Sequence, residues 1–350
     1  MIIFEAFALL ATYLLLTLAP AKSLDWMIVM EVFYGLSSAS SVAYYSYFYK
    51  VFKKEEYQST TGLIRASILI SHLISAGFGQ LIVSFTEVPI IYLWYITIGF
   101  LALATFTSFL FPSDEEFKAS KELTENNGAN SKNAFKLAMF EFKDAAVKSF
   151  CNWETVMWAL LWATLSSILI GVQGFAPNLW YESDSNKKYL NGLMDALGRG
   201  CGVVGALIPS TMNSFLGRGL HFIITLSLII IVCLILIQSL VQQESVMYGS
   251  YILFVGMNNF ANTIISSRLA ISNKNAVFAF VFGMSMMLAL GMQTLINVIC
   301  SASGFSVVVK FYVFAGLVSF MTIIYLSLYR FKVKKIIQNT IEIDLDSLKQ

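Results

Sequence analysis

The sequence predicts an all-α, polytopic membrane helix bundle of about ten spans, four followed by six, and three observations lead there. Of the 350 residues, 57% are hydrophobic and only 13% charged, with a mean hydropathy of +0.71. Soluble domains carry about 25% charged residues, so the chain cannot clothe a water-soluble globule of its size. The apolar residues also fall into long blocks, and a bilayer needs about 20 of them per helical span. Finally, one long polar stretch, residues 112–150, divides the blocks into two groups.

Taken in order, the blocks run over 2–19, 24–49, 62–85 and 88–111, then 152–176, 190–215, 221–240, 247–267, 276–302 and 307–329. The first, "MIIFEAFALLATYLLLTLAP", has no basic flank or small-residue cleavage pattern and reads as a retained span. The sequence opens inside this block, which suggests a shortened gene product or incomplete gene model. A true ten-span protein is the other reading. Four regions follow: an amino-terminal half-bundle over 1–111, a cytoplasmic linker over 112–150, a six-span bundle over 151–330 and a cytoplasmic tail over 331–350. The first half of the linker has the composition of a disordered segment. In its second half Phe135, Met139, Phe142 and Ala146 recur at helical spacing, consistent with a helix on the membrane surface or with a solvated linker of some helical tendency.

Lysine and arginine placement gives the orientation. With a cytoplasmic amino terminus, the inner segments hold Lys50, Lys53, Lys54, six linker lysines, Arg218, Arg268, Lys274, Arg330, Lys332, Lys334 and Lys335. The outer ones hold only Lys22, Lys187, Lys188 and Lys310, a bias of about fourfold toward the inside. Both termini are therefore expected in the cytoplasm.

Several function classes are excluded or left without support. A net charge of +2 and the lack of any basic run interleaved with aromatics argue against nucleic acid. There is no GxxxxGK[ST] loop for ATP, no HExxH, no GxSxG and no CxxC spacing among Cys151, Cys201, Cys233 and Cys300. No enzyme, metal site or cofactor is expected.

The second block carries most of the functional signal. At 100° per residue, Glu31, Tyr34, Gly35, Ser38, Ser41, Tyr45 and Tyr49 lie within an arc of about 120°. Small residues and serines alone mark tight helix packing. Adding Glu31 and the tyrosines 44, 45, 47 and 49 points instead to a cavity lining, because a carboxylate facing lipid costs several kcal/mol. Tyrosine rings offer apolar faces and a hydroxyl, which suits a heteroaromatic solute. Glu5 reads as reaching the interface from near a span end, Arg65 as snorkelling, and His72 as a satisfied core histidine that can also titrate. Asp195 and Arg199, four apart, permit an ion pair that is either structural or part of a gate. Asn258, Asn259, Asn262 and Gln293 are neutral hydrogen-bonding groups at membrane depth.

"EVFYG" followed by "AYYSYFYKVF", then "YQSTTGLIRAS", "GQLIVS", "YLNGLMDAL" and "FVFGMSMMLALGMQTLI", resembles the reduced folate carrier and thiamine transporter family of solute carriers over about residues 3–330. The resemblance implies a major-facilitator-like fold of twelve spans, of which the chain holds the last ten. It also implies secondary transport of a small vitamin-like heteroaromatic solute across the plasma membrane. Folate-carrying relatives have arginine at the position of Ser41 and thiamine-carrying ones glutamate; folate carriers also place cations at Val255 and Gln293. This chain is neutral at all three, which makes efficient folate transport doubtful. The expected solute-binding residues are Glu31, Ser38, Ser41, Tyr44, Tyr45, Asn259 and Gln293, in a cavity between the halves. Glu31, His72, Asp195 and Arg199 are the candidates for proton coupling or gating. The alternative is a non-transporting or regulatory membrane paralogue.

Overall fold

A computed structural model of the chain describes every residue except 19–23, 87, 88, 90, 111–139, 141, 142, 145, 146, 184–189, 212–215, 242, 274–277 and 348–350. Among the described residues there are ten α-helices, one for each apolar block: α1 (Ile2–Leu18), α2 (Leu24–Val51), α3 (Tyr57–Phe85), α4 (Ile91–Ser108), α5 (Trp153–Ser183), α6 (Asn191–Thr211), α7 (Leu216–Leu240), α8 (Glu244–Ser272), α9 (Phe278–Ala302) and α10 (Val307–Ser347). A short 3-10 turn, Lys54–Glu56, leads into α3. The linker helix expected on Phe135, Met139, Phe142 and Ala146 lies outside the described residues.

The helices overrun several of the blocks. Helix α3 begins five residues before its block, α5 continues to Ser183 through Pro177, and α10 runs on to Ser347. Hydropathy marks where a helix is oily, whereas the backbone ladder continues until a cap or breaker ends it. Such ends are visible. Asn152 caps α5 by accepting from the Glu154 amide at 3.1 Å. Helix α9 stops at Gly304, whose φ of 64° is left-handed, and the Phe305 amide returns to the Cys300 carbonyl at 3.0 Å.

Among the described residues, seven helices are by length and composition apolar enough to cross a membrane: α2, α3, α4, α5, α7, α9 and α10. Helix α1 is apolar but has 17 residues, while α6 and α8 are too polar to qualify. The burial pattern explains α8: Phe254, Val255, Ala261, Ile264, Ile265 and Leu269 are fully enclosed, and so are Asn258, Asn262 and Thr263. A helix sheathed by others need not be oily, because its neighbours rather than lipid set its surroundings.

Hydroxyls at depth largely satisfy themselves. Thr12, Thr97, Thr105, Thr164, Thr225 and Thr322 each donate to the carbonyl four residues back, at 2.7–2.9 Å. In hydrocarbon an unmade hydrogen bond costs several kcal/mol, so this back-bonding lets an apolar helix carry Ser and Thr cheaply.

The chain divides into two compact units. The first comprises Met1–Lys54, Leu81–Val156 and Ala270–Met284; the second comprises Glu55–Gln80, Met157–Leu269 and Ser285–Gln350. In the first, α1 packs against both α2 and α4. There the Ser272 carbonyl, at the end of α8, accepts from Asn152 Nδ2 at 3.2 Å and Thr155 Oγ1 at 3.3 Å. In the second, α7 packs along α10. Helices α6 and α8 approach so closely that a Cβ on Gly205 would stand 2.2 Å from the Gly256 carbonyl oxygen.

Candidate functional site

In the first unit the α2 stripe is not uniform along its length. Glu31, Tyr34 and Gly35 are exposed, and Glu31 has no hydrogen bond or ion pair among the described residues. Ser38, Ser41, Tyr44 and Tyr45 are half-buried, while Ser37, Ser46 and Tyr49 are buried. The Tyr44 ring lies 5.6 Å from Tyr45 and 5.3 Å from Phe48, centroid to centroid. Tyr49 stacks on Phe282 at 5.3 Å with the rings nearly parallel, so its face is already used in packing. The polar flank therefore resolves into an exposed end around Glu31 and a packed end around Ser41.

The residue that joins this packed end was not expected there. The Ser41 hydroxyl donates to Glu5 Oε1 of α1. Tyr45, one turn beyond Ser41, lies within electrostatic reach of the same carboxylate. Ser41 is ten residues from the Val51 end of α2, about 15 Å along the axis. Glu5, in the first turn of α1, therefore meets α2 at Ser41. Its place in α1 was legible from sequence; the α2 residue opposite it was not.

In the second unit the intramembrane polar residues form two groups. Around α5 and α8, Asn262 Nδ2 donates to Ser166 Oγ at 3.2 Å and Asn258 Nδ2 to the Leu165 carbonyl at 3.2 Å. Ser266 collects donors from Trp162 Nε1 at 2.9 Å and from Arg65 at 3.1 Å. Arg65 is therefore tied to a helix partner instead of snorkelling freely. Asn259 donates back to the Val255 carbonyl at 2.9 Å, and Gly202 lies against its amide. Gln293 is buried, with Oε1 accepting from Ser167 and Nε2 donating to Asn297, both at 3.4 Å. Two amide oxygens, Asn258 Oδ1 and Asn262 Oδ1, are buried with no hydrogen-bond partner among the described residues.

The second group surrounds the predicted ion pair. Arg199 Nε meets Asp195 Oδ1 at 3.2 Å, one turn apart on α6. The buried Tyr251 hydroxyl donates to the same Asp195 oxygen at 3.1 Å. Trp180 stands edge-on to the Tyr251 ring at 5.3 Å and to Tyr248 at 4.9 Å. His72 on α3 lies within the field of both Asp195 and Arg199, and it is exposed rather than a satisfied core residue. The structure thus brings His72, Asp195, Arg199 and Tyr251 together, a grouping of which the sequence showed only the i, i+4 pair.

Comparison with known proteins fits this architecture. The profile of the reduced folate carrier family matches residues 1–313. The chain is 24% identical to folate transporter 1 of Caenorhabditis elegans over 321 residues, covering 87% of this chain and 70% of that protein. It is also 24% identical to thiamine transporter 2 of Mus musculus over 341 residues, covering 85% and 69% respectively. Among solved structures, the human organic anion transporter MFSD10 (TETRAN) superposes with a TM-score of 0.63 at 12% identity, covering 93% of this chain and 76% of that one. At that identity the likeness speaks to fold alone, and the fold is that of the major facilitators. On the match across residues 1–313, the chain belongs to the reduced folate carrier family.

Proposed function

We propose that the protein is a secondary carrier that moves a small, heteroaromatic, vitamin-like solute of the folate or thiamine type across the plasma membrane. The observation that carries this reading is the family match over residues 1–313, which takes in both intramembrane polar regions. Ser38, Ser41, Tyr44 and Tyr45 in the first unit, and Asn259 and Gln293 in the second, are the proposed solute contacts, with Glu31 at the exposed end of the stripe. Their chemistry suits a flat solute that both stacks and hydrogen-bonds.

Coupling and gating are assigned to Glu31, His72, Asp195 and Arg199. Glu31 is an exposed carboxylate and His72 an imidazole beside an ion pair, side chains of the types that relay protons within membrane carriers. Both termini are placed on the cytoplasmic side on the strength of the lysine and arginine bias. Neutral residues at 41, 255 and 293 disfavour a dianion, since two unpaired charges in a low-dielectric site cost several kcal/mol each.

A direct test is uptake in cells expressing the chain, with labelled thiamine and labelled folate supplied separately. Saturable uptake of either that is lost in Tyr44→Ala supports the carrier reading. Surface expression equal to that of a known carrier, without uptake or binding of either solute, refutes it.

A further inference from the structure

We propose that Glu5 is the residue that selects solute charge, and that it commits the first unit to an organic cation. The inference rests on the carrier reading and adds to it the sign of the cargo and the residue that sets it.

Its starting point is the company Glu5 keeps. Its Oε1 atom accepts the Ser41 hydroxyl, and the other described contact of the residue is the Glu5 amide to the Met1 carbonyl. No lysine, arginine or histidine pairs with the carboxylate among the described residues. The side chain is half-buried in a helix that packs on α2 and α4, and α4 carries no acidic or basic residue. A half-buried carboxylate is offset by a nearby cation or a helix amino terminus, and Glu5 has the first turn of α1 but no described cation. Here the one side-chain partner is a neutral hydroxyl.

The second observation is what stands next to it. Tyr45 lies in the field of Glu5, and Tyr44 sits 5.6 Å from Tyr45, both rings being half-buried. A carboxylate beside aromatic faces is the chemistry that holds a delocalised cation, the anion supplying charge and the rings supplying their negative faces. Ser41 holds one oxygen of the carboxylate, and Oε2 makes no hydrogen bond among the described residues. Asp25 and Glu31, the carboxylates of α2, are exposed and lack this setting.

The chemistry also sets a limit on anions. A dianionic solute brought to the same tyrosines would meet an uncompensated like charge. Exchange of Glu5 for an amide removes that penalty without altering shape.

The test uses the full chain and two probes, thiamine as the heteroaromatic cation and folate as the anion. Wild type is expected to carry thiamine in preference to folate. Glu5→Gln should raise the KM for thiamine by about tenfold or more, the range expected for losing one charged contact. The double variant Glu5→Gln with Ser41→Glu returns the carboxylate from the other side of the same contact and should restore at least part of that loss. A purely structural role predicts instead that Glu5→Gln, which keeps shape and hydrogen-bonding capacity, leaves the KM for thiamine unchanged. Surface level and elution profile of each variant separate misfolding from lost selection. Thiamine uptake unchanged in Glu5→Gln overturns the inference while leaving the carrier reading intact. So does wild-type uptake of folate without thiamine, or a Glu5→Gln effect confined to the pH dependence of folate uptake. Failure of wild type to bind or carry either probe overturns the carrier reading itself.

Discussion

Replacing Gly205 with alanine adds one methyl at the closest approach of α6 and α8. An ideal Cβ there would lie 2.2 Å from the Gly256 carbonyl oxygen and 3.0 Å from its carbon. Both obstacles are backbone, so no rotamer change relieves the clash, and the helices must separate by about 1 Å to reach ordinary contact. A gap of that size forfeits a quarter to a half of each dispersion well. Over roughly 40 atom pairs at 0.1–0.2 kcal/mol each, that amounts to about 1–4 kcal/mol, with a midpoint of about 2 kcal/mol. Alanine returns up to about 1 kcal/mol through helix propensity, leaving a net loss of about 1–2 kcal/mol at the midpoint. Thermal unfolding of the detergent-solubilised protein should therefore begin several degrees lower. Gly249→Ala on α8 is the control: nothing lies within 4 Å of its Cβ, and it should be neutral or stabilising. A Gly205→Ala melting temperature equal to wild type, with the control behaving as stated, would refute the claim that this contact is set by the absence of a side chain.

Gly256→Ala points a methyl to within 2.4 Å of Cys201 Sγ, so it should destabilise, and adding Cys201→Ala should recover part of the loss in the same melting assay. Tyr251→Phe removes the donor to Asp195 and should cost about 1.5–3 kcal/mol, read by thermal unfolding, with the Arg199 pair kept. His221 Nδ1 meets the Tyr325 hydroxyl at 2.6 Å while its ring stacks on Tyr329 at 3.9 Å. His221→Phe should therefore keep the stacking and lose about 1 kcal/mol through the hydrogen bond, whereas His221→Ala should lose clearly more. Gly171→Ala would drive a methyl to 2.6 Å from the Phe314 ring and 3.0 Å from Gln293 Oε1. The expected result is weaker solute uptake at unchanged surface level if Gln293 is a solute contact.

Legibility from sequence differed residue by residue. The ten helices follow the ten apolar blocks because each span is a local property: about 20 apolar residues in a row fix it, whatever the neighbours do. The Asp195–Arg199 pair was equally readable, since helical geometry places i and i+4 side by side on any helix. The partner of Glu5 was not legible, because its place near the end of α1 says nothing about which α2 residue lies opposite. The residues of the α2 stripe differ in their surroundings, with Tyr49 packed on Phe282 and Glu31 exposed. Arg65 and His72 exchanged the surroundings expected of them for the same reason.

By itself, then, the sequence determined that the chain is a membrane helix bundle, how its helices are spaced and which faces are polar. Each of these follows from composition and from the fixed 3.6-residue turn. Only the tertiary structure decided which polar residue meets which: Ser41 with Glu5 across 36 residues, Tyr251 with Asp195 across 56, and Arg65 with Ser266 across 201. The reason is physical. Partition into lipid is a property of each helix alone, whereas the meeting of two side chains depends on the azimuth and register of two helices, which close packing of glycines and rings settles.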